Sequence, residues 1–208
     1  MARSTKAAQD LPAQVPVSKK SAQKAAKPAS KRLISLKTFL ERYADREDPF
    51  KYEWNNGVVE KKSRTMNLDQ MKIVQKLLRL FIKTTAFAGM GELICELDML
   101  MRTKNRTRRA DMAYLSDKQI QESDTGDLSV CAFVVEIVSK NDQINDVNEK
   151  LLDYFDNGVE VVWVVFPKIK KVEIHRSKRD VAYCFDDDLC SAAPVLPDFE
   201  IRVNELFA

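Results

Sequence analysis

Ala132-Phe133-Val134-Val135-Glu136-Ile137-Val138 is apolar on both of its alternating faces, the pattern of a central strand covered on each side. Its one charged member, Glu136, would be costly there unless paired or bound to a cation. Toward the C-terminus, Val147, Leu151 and Tyr154 or Phe155 recur at helical spacing, and the helix should stop at Asn157-Gly158, where glycine suits a C-terminal cap. Residues 159–166 then read as a second, largely buried strand followed by Pro167. Val172-Glu173-Ile174-His175 should pair with it across a turn at 168–171.

Toward the N-terminus, residues 110–115 and 93–101 read as consecutive strands joined by a basic turn over 102–109, while the polar segment 116–129 reads as a loop or short helix. Met71, Val74, Leu77, Leu78, Phe81 and Ile82 predict the longest amphipathic helix, over 68–85, broken by Gly89-Met90-Gly91. Residues 51–54 and 58–61 flank Asn55-Asn56-Gly57, a β-hairpin signal because asparagine and glycine tolerate positive φ. Ser35 should cap a short helix carrying Leu36, Phe39, Leu40 and Tyr43, ending near 45–49. The fold class is therefore α/β (α+β): a mixed central β-sheet flanked by helices, with an N-terminal helix and β-hairpin.

The chain has 208 residues, room for one ordinary core. Residues 1–32 hold eight basic side chains against Asp10 alone, a charge of +7, whereas the rest of the chain carries 26 basic and 30 acidic residues. That segment, rich in Ala, Lys, Ser, Gln and Pro, reads as a disordered basic tail with weak polyanion affinity, and 33–208 as the folded domain. Five glycines form neither a dinucleotide-binding turn nor a P-loop. One histidine, His175, cannot build a two-histidine metal site, and no G-x-S-x-G elbow presents a serine. Cys95, Cys131, Cys184 and Cys190 contain no C-x-x-C pair, and neither a signal peptide nor a membrane span is evident, so a reduced, cytoplasmic setting is expected.

Chemistry centres on Glu136. Asp111 lies near the start of the preceding strand, and adjacent strands would bring the two acids together as oxygen donors suited to Mg²⁺ or Mn²⁺. Lys150, on the following helix, would face the same pocket. Each has a plainer alternative: Asp111 as a strand-end surface acid, Lys150 as one more solvated helix lysine.

Arg109-Ala110-Asp111-Met112-Ala113-Tyr114, Val135-Glu136-Ile137-Val138-Ser139, then Lys150 and Tyr154 ahead of Gly158-Val159-Glu160-Val161, resemble in order and spacing the bacterial restriction endonuclease family of the Uma-two type. That family is a branch of the PD-(D/E)XK nuclease superfamily. Tyr52-Glu53-Trp54-Asn55-Asn56-Gly57 is similar to its hairpin and Leu196-Pro197-Asp198-Phe199-Glu200-Ile201 to its closing segment. Ala110 and Lys140 stand where the family usually has proline.

The resemblance implies a restriction endonuclease-like fold and a magnesium- or manganese-dependent endonuclease acting on DNA, without a membrane and compatible with a homodimer. It implies that Asp111 and Glu136, helped by the backbone carbonyl of Ile137, hold the metal. Val138 stands at the superfamily's E-x-K lysine, a residue this branch moves to the next helix, where Lys150 matches. Glu53 matches a further acidic position, an additional ligand or orienter. A catalytically inactive module for nucleic-acid binding or protein interaction is the alternative, and the intact acid, acid, lysine set separates the two.

Overall fold

The computed structural model describes residues 33–44, 46–63, 67–123, 129–140 and 142–208, so the basic tail lies outside the described residues. Helix α1 (Leu36–Phe39) opens on Ser35, whose Oγ accepts the Thr38 N–H at 3.1 Å, and loosens into π-type turns over Leu40–Ala44. Strands β1 (Phe50–Asn55) and β2 (Val58–Ser63) form the expected hairpin, with Asn56 and Gly57 both at positive φ, +49° and +91°.

Helix α2 (Leu68–Phe81) is shorter than the periodicity predicts, ending at Phe81 instead of running to residue 85. Thr84 is the reason. Its Oγ1 donates to the Phe81 carbonyl at 2.7 Å and accepts the Phe87 N–H at 3.2 Å, so it closes α2 and caps a separate helix, α3 (Thr85–Ala88).

Strands β3 (Glu92–Met101) and β4 (Arg106–Leu115) pair antiparallel. The basic turn is confined to Arg102–Lys104 and Asn105, which takes φ +51°, so Arg106, Arg108 and Arg109 belong to β4 and not to the turn. After α4 (Asp117–Glu122) come β5 (Phe133–Ile137), α5 (Ile144–Asp156) and β6 (Val161–Phe166). Strand β5 runs antiparallel to β4 and parallel to β6, as a β-helix-β crossover requires. Gly158, at φ +98°, turns the chain out of α5.

Strand β7 (Lys171–His175) pairs antiparallel with β6, and β8 (Val181–Cys184) with β7. Strands β9 (Leu189–Ala192) and β10 (Leu196–Arg202) form a small second sheet, followed by α6 (Val203–Phe207). In the large sheet the described strands run β2-β1-β4-β5-β6-β7-β8, with β3 also on β4.

All of β5 is buried, as its double-faced apolar pattern demands. Phe133, Val135 and Ile137 pack into a core with Ile73, Leu77 and Phe81 of α2 and Phe199 of β10. On the other face Val134 packs with Val147, Leu151 and Tyr154 of α5. Period-two alternation puts Glu136 on the α5 face. Among the described residues no helix is long and apolar enough to cross a membrane, and all four cysteines are free thiols.

Candidate active site

Strand β3 covers one edge of β4 from Glu92↔Leu115 to Met101↔Arg106. On the other edge β5 pairs only with Met112–Tyr114 and β1 touches only at Asn55↔Arg106, so the sheet forks. Between the prongs, side chains satisfy the backbone that no strand reaches. The Trp54 N–H donates to Thr107 Oγ1 at 2.7 Å, and the Arg109 N–H to Glu53 Oε1 at 3.2 Å. Lys150 Nζ donates to the Arg109 carbonyl at 3.3 Å, and Asp111 Oδ2 accepts the Ile137 N–H at 2.8 Å. The fork opens into a cavity of about 740 Å³ lined by Lys51, Glu53, Glu96, Asp111, Glu136, Ile137 and Lys150, among others.

Lys150 and Tyr154 lie one turn apart on α5 and so share the face toward β5. Lys150 Nζ lies 2.6 Å from Glu136 Oε2, and the Tyr154 hydroxyl donates to Glu136 Oε1 at 2.5 Å. Burial pushes the Glu136 carboxyl above its ordinary range and the charge of Asp111 adds to this, against the pull of Lys150 and Tyr154. Burial alone would depress Lys150, but Glu136, Glu53 and Asp111 outweigh it and hold the ammonium above the usual lysine range. Burial also raises the Tyr154 phenol, with Glu136 reinforcing the shift.

Asp111 Oδ1 takes the Lys51 ammonium at 2.7 Å. Glu53 sits behind this pair: its Oε2 lies 3.2 Å from Arg108 Nη1 and 3.3 Å from Lys62 Nζ. Burial works to raise the Glu53 carboxyl, yet Lys150, Lys62, Arg108 and the Arg109 amide overcome it and hold it at about 2. The Ile137 carbonyl accepts the Gln70 side-chain amide at 3.0 Å.

Asp111, Glu136, Lys150, Glu53 and Ile137 thus line one cavity. The arginines of β4, expected in the basic turn, are instead engaged in ion pairs within the fold. Arg109 is bound to Asp98, while Arg108 and Arg106 bind the fully buried Asp153 of α5. Two groups escaped the sequence reading, Lys51 and Glu96. Lys51 stands two residues before Glu53, on the same strand face, and Glu96 stands on β3 opposite Asp111, so strand alternation and hairpin register were the signals. Among the described residues no cluster of three or more His, Cys, Asp or Glu side chains is arranged to hold a metal ion.

Among solved structures, the chain is similar in fold to a protein described as a "putative nuclease belonging to DUF820" from Anabaena variabilis ATCC 29413, with a TM-score of 0.70 at 16% identity over 84% of this chain and 97% of that one. Curated proteins give no significant match. The family model Uma2, described as "Putative restriction endonuclease", matches residues 36–204, which takes in every element from α1 to the start of α6. The chain belongs to that family.

Proposed function

We propose that this protein is a metal-dependent DNA endonuclease that hydrolyses phosphodiester bonds in the forked cavity. The observation that carries the reading is the meeting of Asp111 from β4, Glu136 from β5 and Lys150 from α5 at one opening in the sheet. The donor chemistry fits a hard cation. Asp111, Glu136 and the Ile137 carbonyl would hold Mg²⁺ or Mn²⁺, since magnesium uses one or two carboxylates and completes its shell with water and substrate phosphate. An acid raised by burial and by its neighbour's charge, as Glu136 is, gains from a cation beside it. When bound, such an ion supplies the Lewis acidity that polarises a phosphate oxygen and acidifies water.

The chain's own groups do the positioning. Its acidic neighbours hold the Lys150 ammonium above the usual lysine range, so it acts as a hydrogen-bond donor and positive charge for the phosphate or the attacking water. Tyr154 fixes the orientation of Glu136. Glu53, with its oxygens on Arg108, Lys62 and the Arg109 amide, acts as an orienter that keeps Lys150 charged. Lys62 and Lys140 on the cavity wall offer charge to the nucleic-acid backbone.

The test is plasmid cleavage by purified protein with Mg²⁺ or Mn²⁺, in which folded Glu136→Gln and Lys150→Ala proteins should lose at least ~100-fold of the rate. Undiminished cleavage by folded Glu136→Gln protein rejects the assignment. Cleavage absent from the parent as well favours a silent nucleic-acid-binding module, the reading to which the two lysines already neutralising the acids lend support.

A further inference from the structure

Glu96 takes φ +54° in the middle of β3, a left-handed conformation that a residue with a side chain rarely adopts inside a strand. The register runs Cys95↔Met112 on one side of it and Leu97↔Ala110 on the other, so the kink stands opposite Asp111. A second lysine fills the space between them. Lys51 Nζ lies 2.7 Å from Asp111 Oδ1 and 3.4 Å from Glu96 Oε1, with its side chain only 18% exposed. With Asp111 Oδ2 on the Ile137 amide, Lys51 occupies the Asp111 oxygen that a cation would need. Backbone strain spent to bring a third carboxylate to this place, and a nearly buried ammonium seated between two acids, are independent features of the same corner of the cavity.

We propose that Lys51 is a resident counter-ion of the catalytic pocket: its ammonium neutralises Asp111 and Glu96 when no divalent cation is bound, and must be displaced for one to bind. This rests on the metal-dependent reading above and adds a regulatory group to it. Lys51 is accordingly a positioning residue that sets the site's affinity for the ion, and Glu96 is its dock. A lysine stem has the reach to withdraw toward solvent, and the released ammonium remains at the cavity wall, where substrate phosphate would meet it.

The experiment measures Mn²⁺ binding directly by the electron paramagnetic resonance signal of the free ion, on the full chain without DNA. Lys51→Met removes the competing charge while keeping the apolar stem, and should bind Mn²⁺ roughly tenfold more tightly than the parent. Charge-retaining Lys51→Arg should stay within about twofold of the parent. If the methionine variant is unstable, Lys51→Gln provides the same neutralisation with a polar head, and circular dichroism confirms the fold of each. A merely structural Lys51 would change the melting temperature without changing Mn²⁺ affinity. Parent binding that Asp111→Asn weakens, with no gain in folded Lys51→Met or Lys51→Gln, overturns this inference and leaves the metal reading standing. No Mn²⁺ binding by parent or variants, or binding that Asp111→Asn leaves untouched, overturns both.

Discussion

Glu53 lies in a hairpin of alternating polar and apolar residues, and folding leaves it 3% exposed among the charges of Arg108, Lys62 and Lys150. Burying a carboxylate is tolerable only because Arg108, Lys62 and the Arg109 amide take its oxygens. The consequence is a pH dependence of known sign. A carboxyl lowered from 4.5 in the unfolded chain to about 2 in the folded one contributes stability that is fully present above pH ~4.5 and is withdrawn as pH falls through about 2. The span corresponds to about 3 kcal/mol. Glu53→Gln should therefore lower stability at pH 7 by about that amount and flatten the loss of stability between pH 5 and 2 in urea unfolding. If parent and variant lose stability in parallel over that range, the charges around Glu53 do not stabilise the fold as described.

Thr84 decides where α2 ends, by bonding forward to the Phe87 amide and backward to the Phe81 carbonyl. Thr84→Ala should cost about 1 kcal/mol, with Thr84→Ser recovering most of it, as thermal unfolding would show; equal stability in all three would discount the cap. The same residue shows why some boundaries escaped the sequence. Hydrophobic spacing reports which face is buried, and Val74, Leu77 and Phe81 keep helical spacing right up to the break, whereas a single hydroxyl bond makes the break. The strands β5 and β6 were legible because being buried on both faces leaves a run of valines. The Asn56-Gly57 hairpin was legible because its φ angles restrict residue choice. Arg106–Arg109 were misplaced as a turn for the opposite reason. Charged residues in a buried strand violate the local pattern, and their justification, Asp153 on α5 and Asp98 on β3, is distant or not apparent in sequence. Asp111, Glu136 and Lys150 could be picked out because two strands and a helix follow one another closely along the chain, but the fork between β1 and β5 depends on which edge of β4 each strand takes. That is a tertiary fact, and Lys51 and Glu96 entered the cavity only with it.

Assembled, the fold keeps negative charge in the centre of its sheet at the cost of tying up its own lysines, an arrangement through which the proposed cation binding would be coupled to the stability of the domain. Asp111 and Glu136 come from strands that are adjacent only in the native sheet, so the unfolded chain offers a divalent cation no comparable site. Binding to the native state alone must then raise the melting temperature. At an ion concentration of about 100 times Kd the gain is roughly 2.7 kcal/mol, which for a domain of this length means a shift of about 5–10 °C in a calorimetric or dichroism scan. Lys51 opposes that shift, since part of the binding energy goes into displacing an ammonium already at Asp111. Asp111→Asn should lose most of the response to Mn²⁺ while remaining folded without it, because an amide can still accept the Ile137 N–H. Ca²⁺ provides the control on chemistry: it takes oxygen ligands too, so it should shift the parent's transition even where cleavage fails. A parent transition that stays put in millimolar Mg²⁺, Mn²⁺ and Ca²⁺, or an equal shift in Asp111→Asn, would mean that the forked cavity holds no cation, and that the lysines lying on its acids are their permanent partners.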